Sequence, residues 1–598
     1  MVSIQLQTIT DKNLIKVNYI DAKKIGFEKI KMTLIRFGYK VADVSIELDD
    51  SVSQGTIYIS ENIVSKLKLP ITEDYLIKVN DNELILGPYI GIYTSPKEEI
   101  TGWKVERLKS FVIRFKEEIN GVMIAFTHED INYEKLEVNA FYYDSKNDVW
   151  IRKVMPLPTV IHRYGDMNRA IRNKLRSIYG NLLFNYDELD KWSEISSLIT
   201  NEKAKRYVSN TKLCDNIQTF KTFIENHNDF YFKPIKGRKG RGIHRVQRMQ
   251  NGSYLLTVQA IKEYKKIEYS NVDELIENLR EAIYSKEYIL QRTINLSIDE
   301  RVIDFRVRFE KNSENEWELS IFAARVSGKG GVVSNRSAGG EVIAPIEALR
   351  KYYQFDEKKA EFVRNELIEA GRIITTCVEE AHVNYLKCAV DLGVEPDGTI
   401  YHIETNVKAP NDLTTRAFEG YDGLDKACSL NSLYSKRMAG FKDVQNKMSF
   451  MSESMLKSYK NDKRRFKVTF GGSQRTQATI EMIKESFNIN NVIIKEENIK
   501  KFHYQFIVIG TEEILVKVAK QIREKDYNNI VRSILIEQIK RNTTNKSKQK
   551  PSILKENQIE ELKKENQLLK KELRELKNSR SWKVSKPIRL IGKVLKRK

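Results

Sequence analysis

The apolar residues of the first 85 positions alternate with polar ones. VSIQLQTI, TIYIS, DYLIKV and NELILG each turn every second side chain to one face, with turns between them, which is the period of half-buried strands. A small β-rich, barrel-like domain is therefore expected over 1–85. From Gly87-Pro88 the period is mixed. Strands in IGIYTS, GVMIAFT, VNAFYY and TVIHRY flank a helical stretch, VERLKSFVIRFKEEI, so 86–180 reads as α/β. Residues 166–230 are mainly helical in period. Strands then dominate to 415, interrupted by a long helix near 356–382 whose apolar positions include Phe362, Leu367, Ile373 and Ile374. A polar stretch, SESMLKSYKNDKRR, precedes a small α/β unit at 466–535 built from KVTF, a helix in TIEMIKESF, NVIIKE, QFIVIG and a further helix.

Past 540 the pattern changes again. Ile559, Leu562, Asn566, Leu569, Leu573 and Leu576 fall at alternating a and d positions of a heptad. A coiled coil is expected over 553–578, and an Asn at an a position favours a parallel homodimer; a single amphipathic helix lying on the protein's own body is the other reading. After Pro587, Ile588, Leu590, Ile591, Val594 and Leu595 alternate with basic residues, and Trp582 precedes them. The segment 579–598 thus reads as a basic amphipathic tail suited to an anionic membrane surface or a partner, or else as a disordered basic end.

Length and charge refine this picture. A chain of 598 residues exceeds one core, and about three to five domains are expected. The start, MVSIQLQTITDK, lacks the charged and apolar regions of a signal peptide, and no apolar run reaches the ~20 residues of a membrane span. The four cysteines, Cys214, Cys377, Cys388 and Cys428, show no metal spacing and read as thiols of a reducing cytoplasm. The net charge of +21 invites a nucleic-acid reading, but residues 540–550 carry five basic residues and 577–598 carry nine, with no acid in either. The excess is mostly C-terminal, so a basic face for nucleic acid is not expected.

The strongest chemical pattern is the hairpin KCAVDLGVEPDGTIYHIETNVKAP at 387–410. Asp397-Gly398 marks a two-residue turn between alternating strands. Closed with Pro396 opposite Thr399, the hairpin sets Asp391 directly across from Glu404, and Asn406, two residues on, shares that face. A four-residue loop about the same centre makes His402 the direct partner and keeps all three residues on one face. Opposed carboxylates repel unless something cationic lies between them. Two carboxylates with an amide carbonyl form the hard-oxygen set that Mg²⁺ prefers; a solvated sheet face is the alternative.

A second pattern lies upstream. The strand DFYFKPI ends with Lys233 before Pro234, and Gly237, Gly240 and Gly242 then permit close backbone approach to an anion, with Lys236, Arg238, Lys239 and Arg241 around them. No Gly-Lys-Ser/Thr ends the loop, so it is not a Walker A loop; alone it also reads as a hairpin with a solvated basic tip. Tyr288-ILQRTINL is a buried strand entering a polar connector whose backbone suits an adenine edge. Asp304-Phe-Arg-Val-Arg308 places Asp304, Arg306 and Arg308 on one face, and Ala323-ARVSGKGGVVSNRSAGGE adds Arg325, Asn335 and Gly339-Gly340. Arginines so placed suit a triphosphate or a carboxylate, although an arginine alone is more often a surface ion pair.

Together these parts, a strand-Lys-Pro with a Gly-rich loop, a Gln-bearing connector, an Asp-Phe-Arg strand, an Arg…Ser-Asn…Gly-Gly loop and Asp-x12-Glu-x-Asn, resemble the ATP-grasp superfamily. Leu86-GPYIGI, Leu157-PTVIHR, Leu183-FNYDELDKW and FYFKPIKGRKGRGI narrow the resemblance to the YheC/YheD-like ATP-grasp family, described as endospore coat-associated. The resemblance spans 55–440. It implies an α+β, ATP-grasp fold in which two subdomains within 181–440 grip ATP, after an α/β pre-ATP-grasp domain at 86–180. It implies a carboxylate–amine or carboxylate–thiol ligase using ATP and Mg²⁺ and passing through an acyl phosphate. By position, Lys191 and Lys233 would contact phosphates, and Gly237, Gly240, Arg241 and Gly242 would close over them. Gln291, Arg292 and Ile294 would face the adenine, Asp391, Glu404 and Asn406 would hold Mg²⁺, and Arg306, Arg325 and Asn335 would serve the reacting groups. The implied substrates are a small or polymer-linked acid and amine of the cell envelope, a polysaccharide or the spore coat, in the cytoplasm or at the inner membrane face or forespore surface. A non-catalytic scaffold with the same fold is the rival expectation.

Overall fold

The structure is a computed structural model and describes residues 13–539 apart from 82, 95–118, 145–146, 166, 186–188, 237–241, 260–263, 330–340, 383–384, 408–422, 452–463, 473–476, 501–502 and 527–530. The heptads at 553–578, the tail at 579–598, the strand pattern VSIQLQTI and nearly all of VERLKSFVIRFKEEI lie outside the described residues.

The alternating segments near the start build a closed barrel. Around it run Leu14–Val17, Lys40–Leu48, Met32–Phe37, Glu83–Gly87, Asp74–Asn80, Lys447–Met451 and Thr56–Ile59. Its interior is filled by the inward set Ile15, Val17, Ile35, Phe37, Ile57, Ile77, Leu84, Leu86 and Phe450, all buried. Alternation anticipates Thr56–Ile59, Asp74–Asn80 and Glu83–Gly87; Leu14–Val17, Met32–Phe37 and Lys40–Leu48 were not singled out from the sequence. The seventh, Lys447–Met451, comes from far down the chain and sits antiparallel to Asp74–Asn80 and parallel to Thr56–Ile59, where local pattern gives no sign of it.

A second sheet follows. Leu183–Phe184, Val160–Arg163, Tyr89–Tyr93, Val122–Phe126, Glu137–Asp144 and Val149–Pro156 lie in that order, and the sheet continues through Val531–Gln538 to Arg464–Gly472, His503–Gly510 and Ile493–Lys500. The join is parallel, with Trp150 opposite Leu535. The C-terminal α/β unit therefore shares a sheet with the segment before the nucleotide-binding region. Phe466, Val468 and Phe506 belong to the same core as Val122 and Ile124.

Between these flanks lie two six-stranded sheets. One runs Thr211–Cys214, Tyr288–Arg292, Asp229–Pro234, His244–Arg248, Tyr254–Gln259 and Tyr264–Tyr269. The other runs Glu341–Ile343, Trp317–Val326, Arg301–Lys311, Lys387–Val394 and Ile400–Asn406, with Ser297–Ile298 beside Arg301–Lys311. The second is backed by the helix Glu357–Ala381, capped by Asp356 through its side chain on the N–H of Lys359. Ala360, Val363, Leu367, Ala370, Ile374, Cys377 and Val378 form its buried stripe at helical spacing against Phe305, Val307 and Phe309. Gly371 brings the helix close: a Cβ there would lie 2.9 Å from the Phe309 ring. Phe362, expected in the stripe, is 66% exposed, since it falls one residue, about 100° of helix, before Val363. Leu367→Ala is expected to destabilise the fold by about 2–5 kcal/mol, because it removes a fully buried side chain and leaves a cavity; a denaturant titration followed by circular dichroism reads this.

Candidate active site

The hairpin is the rigid floor of the site. Its turn is tighter to one side than the Asp-Gly pair suggests. Glu395 N–H donates to Thr399 O and Gly398 N–H to Glu395 O, both at 2.9 Å, so the loop has three residues, and Gly398 takes the left-handed φ of +100° that this loop requires. Val394 then pairs with Ile400 and Leu392 with His402, but beyond a bulge Asp391 pairs with Glu404 and Ala389 with Asn406. Neither simple closure anticipates this combination. The extra residue, Ile403, restores the expected opposition of Asp391 and Glu404 and turns His402 away from them. His402, 2% exposed, instead lies 2.9 Å from Glu194 Oε1 and 2.9 Å from Thr405 Oγ1.

Asp391 is the centre of a charge cluster. Arg306, directly across on the neighbouring strand, clamps it with Nε on Oδ1 at 2.7 Å and Nη2 on Oδ2 at 2.8 Å. Arg325 places Nη2 3.0 Å from Asp391 Oδ2 and Nε 2.5 Å from Asp304 Oδ1, and Asn406 Nδ2 reaches Asp391 Oδ2 at 3.4 Å. Burial alone would raise the Asp391 carboxyl, but Arg306 and Arg325 overcome it and hold the group well below the usual carboxylate range. Arg308 continues the row that alternation predicts but takes no part here. It is 1% exposed and pairs with buried Glu310 at 2.5 Å, on the stretch of sheet covered by the helix Gly423–Met438.

Glu404 is the contrast. Its side chain is exposed, and it makes no hydrogen bond or ion pair with another of the described residues. It nevertheless sits low enough that desolvation, with Asp391 and Glu194 beside it, raises its carboxyl, while Lys191 and Arg306 pull the other way. Lys191 is the first residue of the helix Lys191–Thr200, whose cap Asp190 accepts from the N–H groups of Trp192 and Ser193; its own N–H donates to Ile235 O at 3.1 Å. Burial lowers the Lys191 ammonium, and Glu404 and Glu194 partly restore it.

Lys233 stands at the end of Asp229–Pro234, and its Nζ donates to Gln291 Oε1 at 2.7 Å. Desolvation and the neighbouring charge of Lys191 bring it down to about 8, with Glu404 opposing. Gln291, 4% exposed, spends its other end on Thr211 Oγ1 at 3.1 Å. Its side chain therefore positions Lys233. Arg292 is likewise engaged, reaching Glu395 Oε1 at 3.1 Å. In the connector, Ile294 O accepts from Leu296 N–H, and the N–H of Ile294 bonds to none of the described residues. Gly242, with φ of +73°, closes the basic loop; Gly237, Gly240, Arg241 and Asn335 lie outside the described residues.

The structure thus gathers Lys191, Lys233, Arg306, Arg325, Asp391, Glu404 and Asn406. Pattern reasoning on the sequence passed over Glu194, Thr211 and the core side of His402, because each acts through another residue. The bulge that frees His402 for Glu194 has no signal in an alternating strand. Among the described residues no three His, Cys, Asp or Glu side chains are arranged to hold a metal. The hard-oxygen set Asp391, Glu404 and Asn406 fits Mg²⁺ in kind, with Glu404 and the Asn406 carbonyl open to it and both Asp391 oxygens taken by arginine.

Two six-stranded sheets carry a Lys-Lys pair, arginines and an acid-lined hairpin, and residues 180–435 match the model of the family described as YheC/D like ATP-grasp. Over 390 residues the chain is 22% identical to the endospore coat-associated protein YheD of Bacillus subtilis (strain 168), covering 62% of this chain and 83% of that protein. It is also 22% identical over 313 residues to the endospore coat-associated protein YheC of the same organism, covering 51% of this chain and 82% of that protein. Similar solved structures include the ADP complex of the N5-carboxyaminoimidazole ribonucleotide synthetase purK, at 12% identity, 74% of this chain, 97% of that chain and a TM-score of 0.34. Another is the D-cycloserine synthetase DcsG, at 12% identity, 58% of this chain, 99% of that chain and a TM-score of 0.34. Among the described residues no helix is long and apolar enough to cross a membrane.

Proposed function

We propose that the chain is an ATP- and Mg²⁺-dependent carboxylate–amine ligase. The observation that carries this reading is Glu404, which bonds to none of the other described residues, set opposite an arginine-held Asp391 and within the electrostatic reach of Lys191 and Lys233. Lys191 and Lys233 hold phosphate oxygens. Glu404 and Asn406 hold Mg²⁺, which when bound neutralises phosphate charge. Arg306 and Arg325 meet the charge that grows on the transferring phosphoryl group. A substrate carboxylate oxygen bonds to the γ-phosphorus as the bridging bond to ADP breaks. An amine nitrogen then bonds to the acyl carbon, phosphate leaves with the C–O bond's electrons, and the amine gives up a proton. The names of the two curated relatives, both endospore coat-associated, support an acid or amine belonging to the spore coat. A scaffold without turnover explains less, since assembly gives no reason to keep a second acid facing Asp391.

Equilibrium binding of a non-hydrolysable ATP analogue tests the reading. Mg²⁺ is expected to tighten binding strongly, and with ATP itself ADP is expected to be released when suitable acid and amine pools are supplied. Absence of any nucleotide binding by the intact chain would sink it. Lys233 adds a pH signature: phosphate meets the charged lysine, so apparent affinity falls as pH rises through about 8, and Lys233→Met flattens that fall.

A further inference from the structure

Two stretches carry the family resemblance, Leu157-PTVIHR and Leu183-FNYDELDKW, and of these only Asp190 and Lys191 enter the chemistry above. They meet at Asn185. This residue is fully buried and takes a left-handed φ of +54°, which asparagine tolerates better than most residues. Its side chain donates to Lys387 O at 2.9 Å and to Val407 O, and accepts from Leu386 N–H at 3.0 Å. Its own carbonyl accepts from Arg163 Nη1 at 3.2 Å, and Arg163, also fully buried, fixes Nε on Gly165 O at 3.1 Å.

Those partners are the open end of the catalytic hairpin. Lys387 begins one strand and Val407 follows the last residue of the other, just beyond the final pair Ala389–Asn406. A planar amide offers two donors and one acceptor, matching two carbonyls and one N–H on those chains. Aspartate lacks the donors, serine and threonine have one, and glutamine is a methylene too long. Five residues after Asn185 the chain reaches Asp190, the cap that starts the helix bearing Lys191.

We infer that Asn185 is a positioning residue that pins the open end of the hairpin, so that Glu404 and Asn406 keep their alignment with Lys191. This rests on the ligase reading for its functional readout, although the pin itself is read separately. Wild type, Asn185→Gly and Asn185→Asp are compared for binding of the ATP analogue AMPPNP with and without Mn²⁺. Glycine keeps the backbone conformation and removes the amide. It is expected to weaken the Mn²⁺-dependent component by roughly 10–100-fold, the range for lost support of metal ligands, while metal-free AMPPNP binding stays within about twofold of wild type. Asn185→Asp is expected to be equally weak at pH 8 and to recover on acidification, because a protonated carboxyl regains one donor; the glycine variant shows no such recovery.

Amide hydrogen exchange at Leu386, whose N–H points at Asn185, is expected to rise at least about tenfold in Asn185→Gly. A folded Asn185→Gly with wild-type Mn²⁺ affinity, an aspartate variant with no acid recovery, or unchanged exchange at Leu386 would each overturn the assignment. If wild type binds no nucleotide at all, the ligase reading falls, and the exchange result still decides whether Asn185 pins the hairpin.

Discussion

Asp391→Ala will destabilise the chain by about 3–5 kcal/mol, the cost of removing one member of a buried ion cluster. Arg306 would lose both of its charge-assisted bonds and Arg325 one of two, leaving guanidinium groups at 21% and 14% exposure with Asp304 bonded to Arg325 alone and Glu404 nearby but unbonded to either. The measurement is the denaturant midpoint as a function of pH. The folded Asp391 carboxyl is depressed below its unfolded value, so its contribution is present above the unfolded carboxylate pKa and is lost as pH falls through the folded one. Wild type should therefore lose stability over that acid window, and the variant should lose less there. Equal acid sensitivity in both proteins would show that Asp391 is not held as described.

Glu404→Gln is expected to act in the opposite direction on stability and far more strongly on ligand binding. Its folded carboxyl is raised, first by desolvation and then by Asp391 and Glu194, so at neutral pH the ionised form is disfavoured in the folded chain. Removing the charge relieves repulsion with two acids, and the midpoint should stay level or rise. Mg²⁺-dependent AMPPNP binding should fall by on the order of 100-fold or more, since loss of a direct ligand exceeds the 10–100-fold typical of second-layer groups. A variant that is both stabilised and unable to use Mg²⁺ is the signature of a group kept for ligand binding. A Glu404→Gln protein with wild-type Mg²⁺ dependence would remove Glu404 from the metal set.

The opposition of these two acids was legible because strand alternation and an Asp-Gly turn fix faces with a period of two. What alternation missed was where the extra residue goes. A three-residue loop and a bulge at Ile403 compensate each other, so Asp391 and Glu404 meet as a simple hairpin would have them, while His402 changes face. The arginine cluster was half legible. Asp304 and Arg306 follow from spacing, but that Arg308 is covered while Arg306 is open depends on a helix more than a hundred residues away in sequence. Gln291 was legible as polar in a buried strand, yet its duty toward Lys233 depends on two strands, Asp229–Pro234 and Tyr288–Arg292, lying side by side. Long-range pairing of this kind, like the seventh barrel strand, leaves no periodic trace in the segment it completes.

That seventh strand bears on how the protein is made. The barrel's own residues leave the ribosome by Gly87, but Lys447–Met451 follows about 360 residues later. At roughly 5–20 residues per second, the nascent barrel waits on the order of tens of seconds with Thr56–Ile59 and Asp74–Asn80 lacking the neighbour that closes them. The barrel is thus finished only after all the residues between its sixth and seventh strands have been made. In that interval the chain presents two unpaired strand edges to whatever chaperone or second nascent chain is at hand.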